Sequence, residues 1–173
     1  MIKTIFAALT AAALVGCAVV GAQFRAASEP QSGDRARVRV IAAQQVRATP
    51  GQACSDEFSP GNGVVIGAVL GSNGYAGRTL GMAVGQPVPQ SASAAEMYVA
   101  AGQPITFSFV FTPGDPYRCN IDGISFVPQA NTDYEVVMSH DRARGRCSVE
   151  TRSLAEPQTR VNQSVVGRCG AQR

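Results

Sequence analysis

The sequence is poor in the side chains that many enzymes and nucleic-acid-binding proteins use. Tryptophan is absent, His140 is the single histidine, and Lys3 is the single lysine. Lys3 lies in the segment that we expect to be removed on export, so the mature chain would have no lysine for Schiff-base, Ser-Lys or phosphate-loop chemistry, and zinc-protease motifs need two histidines. Charged residues are only 16 % of the chain and the formal net charge is +3, which is far from the dense positive field of a nucleic-acid binder. We therefore predict no nucleic-acid partner.

Catalytic and metal-binding arrangements are equally hard to assemble. A Ser-His-Asp enzyme would have to use His140, but its neighbours Ser139 and Asp141 point away from it at a strand end. No Cys-x-x-Cys spacing supports a zinc or redox site. We predict no enzyme activity, no cofactor and no metal. A carboxylate enzyme stays open as an alternative, with candidate acids at Asp56, Glu57, Glu96, Asp115 and Asp122.

The N-terminus has the layout of an export signal. A short positive segment is followed by an uncharged apolar run over residues 4–15. The run ends in Leu14-Val15-Gly16-Cys17, which resembles the lipobox of bacterial envelope lipoproteins. The resemblance implies cleavage before Cys17 and lipid on Cys17. Because Ala18 and not Asp follows, it also implies an outer-membrane location facing the periplasm.

Two other interpretations of this segment stay open. Val20-Gly21-Ala22 is also an acceptable cleavage site, and cleavage there would release a soluble periplasmic or secreted protein. Residues 4–22 are also an unbroken apolar stretch of 19 residues, just long enough for an uncleaved anchor. All three interpretations export the protein.

Besides Cys17, the chain has four cysteines, Cys54, Cys119, Cys147 and Cys169. Because this number is even, we predict two structural disulfides in an oxidising compartment. Four cysteines allow three pairings, and the sequence does not choose among them. We favour Cys54–Cys119 with Cys147–Cys169, because the second bond would hold the polar C-terminal tail against the body of the protein.

Alternating side chains and closely spaced turns predict an all-β fold. Residues 35–42 place Arg35, Arg37 and Arg39 on one side, which we expect to face water, and apolar residues on the other. Residues 105–111 place Ile and Phe side chains inward. No window shows a 3.6-residue apolar stripe, and turns recur about every 8–12 residues, as in sandwiches and barrels. We predict a small antiparallel β-sandwich.

Further strands are predicted along the chain. A glycine-rich hairpin pairs residues 64–70 with 75–83 around Asn73-Gly74. A short strand covers residues 97–100. Residues 120–127, 133–139 and 147–154 are predicted to form a three-strand meander. The stretches 101–107 and 126–136 resemble the Ig-like and prealbumin-like sandwich modules of exported bacterial proteins, and this resemblance implies a sandwich without assigning any functional residue.

The predicted organisation is a signal peptide (1–16), a flexible lipidated tether (17–34), a sandwich domain (35–154) and a polar tail (155–173). We predict a non-catalytic envelope lipoprotein, held to the membrane by lipid at Cys17, that binds a protein or an envelope polymer. A secreted or periplasmic inhibitor or immunity-type protein is the other non-catalytic alternative. For the arginines after His140, a merely solvated turn is the simpler interpretation and an anionic partner the competing hypothesis. The candidate partner contacts are Tyr75, Arg78, Arg142, Arg144 and Arg146.

Overall fold

The structure, a computed structural model, describes residues 24–67, 74–110, 121–141, 143–155 and 157–170. In these ranges the chain forms two five-stranded sheets that pack as a β-sandwich, which confirms the predicted fold class. The strands are β1 (Arg35–Ala42), β2 (Gln45–Pro50), β3 (Gly63–Ile66), β4 (Ser93–Ala100), β5 (Ile105–Val110), β6 (Ile121–Phe126), β7 (Asp133–Asp141), β8 (Arg146–Ser153), β9 (Thr159–Arg160) and β10 (Ser164–Val165).

Strands that are adjacent in a sheet are often not consecutive along the chain. Sheet I has the order β4-β1-β7-β8-β9, and sheet II has the order β10-β6-β5-β2-β3. Neighbouring strands are antiparallel, apart from β1 and β7, which run parallel. A parallel pair needs a long crossover, and here the chain passes through sheet II between β1 and β7.

The core lies between the sheets and follows the predicted alternation. In β1, Ala36, Val38 and Val40 are buried, and in β5 Phe107 and Phe109 are completely buried. Burying a side chain of this size stabilises the fold by roughly 1.5–3 kcal/mol. The inward faces of β1 and β5 are therefore predicted correctly.

Three predictions about strand pairing are wrong. Strand β6 pairs with β5 in sheet II while β7 pairs with β8 in sheet I, so residues 120–154 are not a three-strand meander. Gly74 and Tyr75 still pair with β3, but the chain then crosses to sheet I at the Ala76–Ala95 bridge, so residues 76–83 are not the hairpin partner of β3. Residues 68–73, with the predicted turn, lie outside the described residues. Strands β2, β9 and β10 were not predicted.

Part of the predicted tether is hydrogen-bonded to the sandwich. The Val64 N–H donates to Arg25 O at 2.8 Å, and the Ala27 N–H donates to Val64 O at 3.1 Å, so this segment runs parallel to β3. Ala27 is buried in the core. The close approach requires Gly63, because a Cβ there would overlap the Ala26 backbone. The hydrogen-bonded structure therefore includes Arg25, ten residues before β1.

The favoured disulfide pairing is wrong, because Cys54 is bonded to Cys169. Cys54 lies in the loop that covers the outer face of sheet II, where Ser55 Oγ is 2.7 Å from Ser108 Oγ of β5. The C-terminal segment returns to the same place, since the Ser55 N–H donates to Gly167 O at 3.0 Å. Cys147 is also disulfide-bonded, and Cys119 lies outside the described residues. The tail is thus held by a disulfide, with a different partner from the one predicted.

The tail is also part of the sandwich. Residues 159–160 add β9 to the edge of sheet I, and residues 164–165 add β10 to the edge of sheet II. One short segment therefore joins the edges of both sheets. Within the described ranges, no helix has the length and apolar character needed to cross a bilayer.

Replacing both Cys54 and Cys169 with Ser should lower the free energy of unfolding by about 2–4 kcal/mol, because the bond closes a loop across a separation of 115 residues. Urea denaturation of the oxidised protein measures the change. The bond at Cys147 stays intact in this variant, so the effect belongs to Cys54–Cys169 alone. An unchanged denaturation midpoint would contradict the assignment of a stabilising role.

Candidate functional site

A row of charged side chains crosses the outer face of sheet I. Strand register places Glu96 of β4, Arg39 of β1, Glu135 of β7 and Arg152 of β8 side by side. Although they lie on the face opposite the core, the side chains of Glu96 and Glu135 are only 4 % and 0 % exposed. We call these four residues the charged row.

Arg39 lies between the two buried carboxylates of the row. Its Nε and Nη2 donate to Glu96 Oε1 at 2.9 and 2.7 Å, and its Nη1 is 3.5 Å from Glu135 Oε2. Arg152 Nε approaches Glu135 Oε1 at 3.9 Å from the other side. Alternating charges across neighbouring strands therefore neutralise both acids, as a buried carboxylate requires.

A second ion pair lies beside the row. Arg37 Nε and Nη2 donate to Asp133 Oδ1 and Oδ2 at 2.7 and 2.9 Å, the two-pronged geometry that suits a guanidinium and a carboxylate. The expectation that Arg37 and Arg39 face water is wrong for Arg39, whose side chain is largely buried. The reason is that another part of the chain covers this face.

The covering segment, residues 79–89, is called here the strap. It forms none of the ten strands, and Pro87 and Pro89 have no N–H to donate to a ladder. Its backbone N–H groups at Leu80, Ala83 and Gln86 donate to carboxylates of Glu96, Asp133 and Glu135, respectively. The Ala83 bond is 3.0 Å long, and the Gln86 N–H is 3.1 Å from each Glu135 oxygen. Three N–H groups at three-residue spacing thus face the sheet.

The arginines bind the carbonyl groups of the same segment. Arg37 Nη1 donates to Leu80 O at 3.0 Å, and Arg39 Nη1 donates to Ala83 O at 3.2 Å. The sheet face therefore supplies acceptors for the strap's N–H groups and donors for its carbonyls. These carboxylates and guanidinium groups together bind the N–H and C=O groups of a peptide backbone.

The side chains of the strap contribute less to this contact than its backbone. Met82 is buried, but Val84 is 88 % exposed and Val88 is also exposed. Gly85 lies directly against the sheet, and a Cβ at this position would overlap the carboxylate of Glu135. The backbone of the strap thus lies closest to the sheet at Gly85.

The residues that flank the strap pair with each other. Ala76 and Ala95 form an antiparallel bridge, the Gly77 N–H donates to Ala94 O at 2.8 Å, and the Glu96 N–H donates to Arg78 O at 3.1 Å. The strap is therefore an excursion that begins and ends beside the edge of β4.

Two predicted partner contacts, Tyr75 and Arg78, are used inside the molecule. The Tyr75 hydroxyl donates to Ala27 O at 2.6 Å, and burial, with a smaller contribution from Glu29, raises the pKa of Tyr75. Arg78 Nη1 donates to Glu29 Oε1 at 2.9 Å, and its guanidinium lies over the Tyr75 ring. Neither side chain is at an exposed hairpin tip, because the N-terminal segment packs against both.

The other predicted contacts lie at the tip of the β7–β8 hairpin. The Arg144 side chain is 75 % exposed and makes a weak 3.4 Å ion pair with Asp141, and Arg146 is also exposed. Arg142 lies outside the described residues. His140 faces Cys147 across this hairpin. In the described part of the chain, no group of three or more His, Cys, Asp or Glu side chains is placed to hold a metal ion.

The carboxylate candidates do not converge on an obvious acid pair. Of those described, Glu96 alone is buried, and it is bound to Arg39; Asp115 lies outside the described residues. The acid that shares Arg39 with it, Glu135, was missed. Its outward place in an alternating strand was visible in the sequence, but the parallel β1–β7 register was not.

Comparison of the chain with protein-family models, with curated proteins and with solved structures returns no match.

Replacing Arg39 with Met should lower the free energy of unfolding by roughly 3–5 kcal/mol, because it removes the cation shared by two buried carboxylates. Urea denaturation at neutral pH measures the loss. Arg144→Met removes the same charge from an exposed site and should change stability by no more than about 0.5 kcal/mol. A loss for Arg39→Met as small as that of the control would show that the two acids do not depend on Arg39.

Proposed function

We propose that the protein is an exported, lipid-anchored β-sandwich that acts by binding, without catalysis, on the periplasmic side of a bacterial outer membrane. The observation that carries this proposal is the Cys54–Cys169 disulfide, together with the bonded state of Cys147. Structural disulfides form and persist in oxidising compartments. This chemistry agrees with the export layout of residues 1–16 and with the lipobox-like sequence that ends at Cys17.

The docked N-terminal segment would keep the anchored domain close to the membrane. Arg25, which is hydrogen-bonded to β3, follows Cys17 by eight residues. A fully extended chain of that length reaches at most about 29 Å. A domain attached to lipid at Cys17 would therefore work within about one domain diameter of the bilayer surface.

The β7–β8 hairpin tip supports an anionic partner. Arg144 and Arg146 are exposed, and the nearest acid, Asp141, pairs with Arg144 only at 3.4 Å. Exposed arginines are suited to phosphate and carboxylate groups, which they bind through several donors at once. We therefore propose that this tip contacts an anionic component of the cell envelope.

The lipid anchor is tested by growing cells with a palmitate analogue and comparing the intact protein with Cys17→Ser. We expect label and membrane retention in the intact protein and loss of both in the variant, because acyl chains would be attached at Cys17. Cys54→Ser combined with Cys169→Ser is the matched control and should keep the label. Label in both the intact protein and Cys17→Ser, or in neither, would refute the anchor.

The arginine tip is tested in the Cys17→Ser background, so that lipid does not mask weaker binding. Arg144→Ser combined with Arg146→Ser should reduce co-sedimentation with isolated bacterial envelopes, and added salt should reduce binding of the parent in the same way. Arg160→Ser combined with Arg168→Ser removes the same charge from exposed sites elsewhere and should have little effect. Equal retention of both double variants would rule out the tip as the contact.

A further inference from the structure

We infer that the charged row, with the Arg37–Asp133 pair beside it, is a binding site for an extended peptide segment of another protein, and that the strap occupies this site until such a segment replaces it. The site is distinct from the arginine tip and takes a different class of partner. The inference deepens the proposed binding function and does not depend on the lipid anchor.

The contacts that hold the strap are contacts to main-chain atoms. Glu96, Asp133 and Glu135 accept from its N–H groups, and Arg37 and Arg39 donate to its carbonyls. Every peptide segment carries the same donors and acceptors, apart from proline N–H groups. A foreign extended segment can therefore make the same bonds that the strap makes.

Replacing the strap with a foreign peptide segment conserves the hydrogen bonds of the buried acids. Glu135 is completely buried and accepts the Gln86 N–H with both oxygens, so an empty site would have to be filled by water. Replacing one backbone N–H donor with another leaves the number and type of hydrogen bonds unchanged, whereas leaving a buried acceptor without a donor costs free energy. The site therefore favours being occupied and does not require its own strap as the occupant.

The strap can leave without disrupting either sheet. It contributes no strand, and the segments that flank it pair at the Ala76–Ala95 bridge, so both sheets keep their ladders when it is released. Segments with few buried side chains and exposed hydrogen bonds are the parts of proteins that open at low cost. In the strap, Met82 is buried while Val84 and Val88 face solvent.

The site also selects its ligand. Glycine is favoured where Gly85 lies, because a side chain there would have to displace the Glu135 carboxylate and the Arg39 guanidinium. Met82, three residues earlier, is the buried apolar side chain of the strap. The expected ligand is thus an extended segment with an apolar residue three positions before a glycine.

The test uses the full chain, purified with its disulfides formed, and a fluorescent synthetic peptide with the sequence of residues 79–89. In an opened variant, residues 79–89 are replaced by a flexible Gly-Ser linker that joins the paired flanking segments. An intramolecular competitor acts at an effective concentration of about millimolar, so fluorescence anisotropy should show at least about tenfold tighter binding to the opened variant than to the intact chain. A peptide carrying Gly85→Val is the matched control and should bind at least about tenfold more weakly.

Binding of neither peptide by a folded opened variant, or equal binding of both, would overturn the inference. Folding is checked by circular dichroism and a cooperative urea transition. If the deletion prevents folding, the intact chain carrying Gly85→Val replaces it, because the clash with Glu135 displaces the strap while the chain length is kept.

Amide hydrogen exchange in the intact chain supplies a measurement that needs no variant. The amides of Leu80, Ala83 and Gln86 should exchange through local opening, at rates that low urea concentrations do not change. Exchange of these three amides only through global unfolding would show that the strap does not leave the folded protein, and the inference would then fail.

Discussion

The position of Arg39 between two buried carboxylates constrains much of sheet I. A buried acid is tolerated only with a partner, and Glu96 and Glu135 both depend on this guanidinium. The requirement links three strands, because β4, β1 and β7 must keep the register that places the three side chains in one row. It also accounts for the strap, whose N–H groups bind carboxylate oxygens that the arginines do not fully satisfy.

The outer faces of the two sheets are covered through different kinds of contact. On sheet II, the loop after β2 is held over Thr106 and Ser108 by hydrogen bonds and by the covalent bond between Cys54 and Cys169. On sheet I, the strap is held by charged side chains that contact its backbone. The first cover is permanent under oxidising conditions, whereas the second consists of individually reversible contacts. A molecule with this asymmetry has one face suited to stability and one suited to exchange.

Local patterns in the sequence predicted the fold better than the candidate site. Alternation identified β1 and the buried phenylalanines of β5, because a strand's two sides differ in polarity over a few residues. The same pattern wrongly predicted that Arg39 faces water. Alternation does not reveal that a segment more than 40 residues away in sequence covers the outer face of β1. The pairing of β1 with β7 also depends on a long crossover, so the Arg39–Glu135 contact was not visible. Strands β9 and β10, at two residues each, are too short for any periodicity.

The N-terminal segment affects whether a second chain can pair with the edge of sheet II. A bare strand edge is a template on which further chains can add, and Arg25 and Ala27 occupy that template along β3. The outer edge of β4 is occupied in the same way near Arg78, while β9 and β10 offer only two residues each. The edges of β3 and β4 are therefore covered where these contacts lie, whereas β9 pairs with only two residues of β8. Trimming the chain back to β1 would remove Arg25 and Ala27 and leave the edge of β3 open to pairing with a second chain.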